Sequence, residues 1–124
     1  MHKFIDMIFV VITVITTLPT TAVASDDPGT GERLYENWCV PCHGIEGGEP
    51  GTVRLGRMRG QQYADLLNRP LLPTEYLQTV VREGLGAMPA FRRSEIDTSN
   101  LDALIAYIQE QQARSVRPIK HTAE

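Results

Sequence analysis

Apolar positions recur at helical spacing along this chain, and little of it reads as strand. Leu34, Tyr35 and Trp38 place one apolar face on a helix spanning residues 31–43, which should end near Gly44. GIEGGEPGT follows and reads as a glycine-rich loop. A short helix is expected over residues 61–69, with Tyr63, Leu66 and Leu67 on one side and Pro70 stopping it. PTEYLQTVVREG makes a stronger helix. Pro73 or Thr74 starts it, Glu75 lies in its first turn, and Tyr76, Leu77, Val80 and Val81 form its buried stripe. Arg82 stands near its end and Gly84 closes it. GLGAMPAF is an extended connection, because Pro89 turns Met88 away from helical geometry. The last helix takes Ser99 as N-cap with Asp102 three residues on, then Leu101, Leu104, Ile105 and Ile108 as its stripe. The pattern is all-α with long loops.

The N-terminal stretch stands apart from that pattern. His2 and Lys3 precede an almost unbroken run of apolar residues and threonine from Met7 to Leu18, and Ala22-Val23-Ala24 supplies a small-x-small cleavage site. That order is expected of a secretory signal peptide over residues 1–24. The competing reading is a retained anchor, but the run is short of the roughly 20 residues that a spanning helix needs. Residues 25–124 then form one domain of about 100 residues, near the size where a single core is just adequate. Its core is expected over residues 29–112, with 113–124 as a frayed tail.

Charge is uneven. Residues 25–53 carry six acids and one arginine, residues 54–93 seven arginines and three acids, and residues 94–124 five acids and three bases. A net charge of −3 argues against nucleic acid as a partner. The basic middle suits one docking face or, equally, a mixed solvated surface.

The candidate chemistry lies in WCVPCHG, residues 38–44, which holds both cysteines of the chain. A Cys39–Cys42 disulfide would close a tiny loop and stabilise little. Thiol–disulfide redox centres usually sit beside a βαβ pattern, and none is legible here. Structural zinc wants four ligands, and Cys39, Cys42, His43 and the tail His121 make a poor set. C-x-x-C-H is the signature of covalent haem attachment: two thiols for the two vinyl groups, and the adjacent His43 imidazole for the iron. The distal position needs a methionine or must stay open, and only Met58 and Met88 remain after signal removal. Met88 is the better candidate, because Gly84, Gly86 and Pro89 shape its segment as a loop. An open position would instead suit gas binding or a haem enzyme.

With these residues the chain resembles a class I cytochrome c over residues 29–112. Gly31, Tyr35, Cys39, Cys42 and His43 match the family's first helix and haem motif, and Leu104 and Tyr107 its crossing last helix. LPTEYLQTVVREGLGAMPAF, with SEIDTSNLDALIAYI after it, is similar to the small cytochrome subunit of p-cresol methylhydroxylase-type flavocytochromes. The resemblance implies a small all-α fold of three to five helices around one covalently bound haem c. It implies Cys39 and Cys42 as attachment points, His43 and Met88 as axial ligands, and electron transfer rather than catalysis. It further implies a periplasmic protein, with an FAD-containing 4-alkylphenol dehydrogenase as donor and a separate downstream acceptor. A free carrier serving another dehydrogenase is the alternative. The carbonyl of Pro50 is expected to orient His43. Arg54, Arg57, Arg59 or Tyr63 are candidates to pair with the haem propionates, and Ala87, Pro89, Ala90 and Phe91 to border a docking surface. Trp38 is expected in the core, with shielding of the haem ring as the alternative.

Overall fold

The computed structural model describes residues 28–116. The expected signal segment and most of the expected tail lie outside those residues. Five α-helices follow in order: α1 Pro28–Trp38, α2 Val40–His43, α3 Pro50–Arg59, α4 Thr74–Glu83 and α5 Thr98–Ser115. A 3-10 turn at Gln61–Tyr63 links α3 to the long approach to α4. Among the described residues the sole β feature is an isolated antiparallel bridge between Leu85 and Met88. The all-α expectation holds. No helix among them is long and apolar enough to cross a membrane.

Helix α1 packs across α5, and Gly31 sets how closely. A Cβ at Gly31 would meet the Ala103 carbonyl oxygen and lie 2.6 Å from the Cβ of Tyr107. Only a residue without a side chain allows that approach. One turn further on, Tyr35 and Tyr107 stack at a tilt of 48° with centroids 5.7 Å apart. The core formed below them comprises Tyr35, Leu77, Val81, Ile96, Leu101, Leu104, Ile105 and Ile108. The expected stripe of α5 is therefore buried in full, whereas on α4 only Leu77 and Val81 are. Tyr76 is 43% exposed.

Several boundaries differ from the sequence reading, each for a local reason. The first helix divides at Cys39, because Pro41 has no N–H to close onto the carbonyl four residues back. Cys39 nevertheless keeps the chain nearly helical, its N–H bonding to Tyr35 O at 2.8 Å and its carbonyl accepting from His43 N at 2.7 Å. The glycine-rich loop is shorter than expected, since Pro50 begins a helix instead of continuing the turn. Proline's fixed φ suits the first helical position. The helix expected over 61–69 is replaced by the 3-10 turn and bends. There the Asp65 carboxylate accepts from the N–H groups of Leu67 (2.9 Å) and Asn68 (3.3 Å), a local alternative to helical bonding. Helix α5 starts earlier than expected, with Asp97 rather than Ser99 as its cap: Asp97 Oδ1 accepts from Asn100 N at 2.8 Å.

Two glutamines of α5 hold the segment before α4 in place. Gln112 is fully buried, its Nε2 donating to Leu66 O and its Oε1 accepting from Leu72 N, both at 2.9 Å. Gln109 Nε2 donates to Leu72 O at 2.9 Å and to Thr74 Oγ1 at 3.1 Å. A non-helical stretch thereby satisfies its buried backbone groups through side chains.

Candidate functional site

The site is built where α1 runs into α2. Cys39 is half-buried and packs on the core, and Cys42 is exposed one turn along; both thiols are free. Burial, reinforced by neighbouring Cys42, pushes the Cys39 thiol up to about 12, so it is held protonated. His43 ends α2, half-buried, and its burial holds the imidazole below the usual histidine range, in the neutral form a metal binds.

The Nδ1 of His43 is buried and has no hydrogen-bond partner. The expected bond to the Pro50 carbonyl is therefore not made here. Pro50 is the first residue of α3, and a carbonyl at that position faces along the helix toward the N–H four residues on. Its neighbour makes the close contact instead. A Cβ at Gly51 would stand 2.6 Å from Cys42 O, 2.9 Å from His43 Cε1 and 3.0 Å from His43 Nδ1. Gly51 thus lets α3 lie against the imidazole. GIEGGEPGT places Gly51 in a loop by composition, and the signal for its helix is Pro50 directly before it. Thr52 adds a second tie, its hydroxyl donating to Gly44 O at 2.7 Å.

Met88 lies in the connection between α4 and α5, packed against the same core as Cys39. The loop closes on itself, Leu85 N donating to Met88 O and Met88 N to Leu85 O, each at 3.1 Å. The other methionine among the described residues, Met58, is 65% exposed on α3. The methionine loop and the cysteine turn are in contact. Trp38, just before Cys39, meets the ring of Phe91 edge-on, with centroids 5.7 Å apart and planes at 79°. Trp38 is thus a partly exposed wall at 37%, not the core residue expected.

Of the candidate propionate partners, Arg54, Arg57 and Arg59 are exposed on α3, and Tyr63 lies beneath Arg69, whose guanidinium carbon is 5.4 Å from the ring centroid. Ala87, Pro89 and Ala90 are exposed, while Phe91 is half-buried on the core. Val40, Ile45, Val53 and Leu85 add further exposed apolar side chains, at 37%, 68%, 36% and 55%.

The residues present fit a covalently held haem. Two free thiols lie one helical turn apart, a neutral imidazole adjoins them with an unpartnered buried nitrogen, and a helix without a side chain at Gly51 passes beside it. A small helical core with that turn and a pinned methionine loop defines a c-type cytochrome. The comparisons agree: a family model described as "Cytochrome C oxidase, cbb3-type, subunit III" matches residues 26–108. The "4-cresol dehydrogenase [hydroxylating] cytochrome c subunit" of Pseudomonas putida is 33% identical over 97 residues, covering 78% of this chain and 74% of that one. No solved structure matches. The chain belongs to the cytochrome c family, whose members carry covalently bound haem c, and it is an electron-transfer protein rather than a catalytic subunit.

Proposed function

We propose that this protein is the haem subunit of an exported flavocytochrome, taking electrons one at a time from an FAD-containing dehydrogenase that oxidises 4-alkylphenols. Cys39 and Cys42 hold haem c through thioether bonds, and His43 and Met88 ligate its iron. When bound, the group supplies an iron that gains or loses one electron while keeping both ligands. The chain's part is to hold those ligands fixed and to keep water out. The half-buried imidazole, packed under Gly51, has little room to turn. A pinned thioether favours the reduced iron and raises its potential, which suits an acceptor.

The observation that carries this reading is the Trp38–Phe91 contact, which joins the C-x-x-C-H turn to the methionine loop. Two ligand-bearing segments far apart in sequence are brought to one core. The dehydrogenase partner is supported by the similarity to a cresol dehydrogenase cytochrome subunit. Export is supported by the apolar segment and Ala22-Val23-Ala24, so residues 1–24 are removed and the mature chain works in the periplasm. Its electrons pass to a separate downstream acceptor.

The test is to mix the mature, haem-loaded protein with the dehydrogenase subunit and 4-methylphenol and to follow the haem spectrum. Reduction that requires both the dehydrogenase and the phenol is the expected result, each substrate molecule reducing a pair of cytochromes. No reduction with both present would overturn the assignment of the partner.

A further inference from the structure

The loop that carries Met88 spans residues 84–97 and has no helix of its own. Its first half is tied by the paired bonds between Leu85 and Met88. Pro89 follows and offers no N–H. The next backbone tie is Phe91 N, which donates to Val81 O on α4 at 2.8 Å. Beyond that point the loop has a local turn at Arg92–Ile96 and the buried Ile96 side chain, and one side chain from α4 reaches it. Arg82 Nη1 donates to Phe91 O at 3.2 Å and to Ile96 O at 2.7 Å, and its Nη2 donates to Asp97 O at 3.1 Å. One guanidinium on α4 therefore gathers both ends of residues 91–97.

We propose that Arg82 is a positioning residue for Met88: it locks the outer arm of the loop to α4 and so sets how often the thioether leaves the iron. The inference rests on Met88 being the distal ligand. Its physical basis is the planar fork of arginine, which directs several N–H groups at once, where a lysine presents a compact point charge. Hydrogen bonds from a charged donor are among the stronger ones, and here all three end on one loop. Loss of the clamp leaves the core under Ile96, Leu101 and Leu104 in place but lowers the cost of a local opening around Met88. The competing account is a purely structural one, in which Arg82 complements the C-terminal end of α4 and contributes only to global stability.

Carbon monoxide separates the two accounts, since it binds reduced haem only when the thioether is off. The holoprotein is compared with Arg82→Met, Arg82→Lys, Ile108→Val and Met88→Ala, each with its Tm and reduction potential measured. Ile108→Val lowers global stability by removing a methyl from the buried core without touching any bond of Arg82. Arg82→Met is expected to bind carbon monoxide roughly tenfold faster than wild type, with a shifted potential and a weakened iron–thioether charge-transfer band. Arg82→Lys should fall between and stay well folded, and Ile108→Val should keep the wild-type rate despite its lower Tm. If the rates follow Tm alone across Arg82→Lys, Arg82→Met and Ile108→Val, the clamp is overturned. Met88→Ala distinguishes the two layers of the argument. A variant that turns high-spin while the Arg82 variants match wild type removes only the clamp. A Met88→Ala variant with an unchanged spectrum removes the ligand assignment and the clamp with it.

Discussion

Gly51 and His43 touch across the start of α3: a side chain at residue 51 would come within 3.0 Å of the imidazole Nδ1. Backbone at Gly51 thereby closes off the Cε1–Nδ1 edge of the imidazole. Gly51→Ala must push either α3 or the imidazole aside, and overpacking of this kind typically costs about 1–3 kcal/mol. The variant should show a lower ratio of haem to protein absorbance after expression with c-type maturation machinery. The remaining holoprotein should have a shifted reduction potential. A variant with wild-type loading and potential would mean that α3 moves freely and does not position His43.

Gln112 makes a separate prediction, about stability. Replacement by leucine keeps the volume but leaves Leu72 N and Leu66 O without their partner inside the protein. The expected loss is about 2–4 kcal/mol, since stranded buried groups cost more than an ordinary bond is worth. Urea unfolding of the holoprotein should show a lower midpoint with an unchanged slope. Gln109→Ala should cost less, because Gln109 is itself only half-buried whereas Gln112 is fully buried.

The cap of α5 gives the acid side of the stability profile. The backbone N–H of Asn100, then the hydroxyl of Ser99, hold the Asp97 carboxyl below its ordinary value of 3.8. A carboxylate with a depressed folded value stabilises the fold above its unfolded pKa, and that contribution fades as pH falls through the folded value. Asp97→Asn retains a capping oxygen but removes the charge. Wild type should be the more stable of the two near neutrality, and the gap should close below about pH 3.8. A gap independent of pH would place the effect in packing rather than in the carboxylate.

The parts legible in the sequence were those whose signal is local. Leu101, Leu104, Ile105 and Ile108 repeat at helical spacing and all are buried. C-x-x-C-H occupies a single turn, so its chemistry could be read without a fold. Helix α3 escaped because Gly51 and Gly56 suggest a loop, and its glycines are there to allow close approach: a Cβ at Gly56 would meet the Gln61 amide at 3.0 Å. The expected 61–69 helix failed because the Asp65 carboxylate takes up the N–H groups of Leu67 and Asn68 locally and Leu66 O finds its donor on α5, 46 residues away. A trace of that contact was available, since Gln112 stands four residues after Ile108 and continues the apolar stripe of α5. Arg82 was visible only as a helix-end cation. Its three acceptors are carbonyls, which no side-chain pattern reports.

The most direct test of the account is the visible spectrum of the mature holoprotein, oxidised and reduced, for wild type and Met88→Ala. Half-buried Met88 and exposed Met58 are the methionines among the described residues. Sharp low-spin bands in wild type, turning high-spin and reactive to carbon monoxide in the variant, are the predicted result. Low-spin bands unchanged in Met88→Ala would contradict it and move the distal ligand elsewhere.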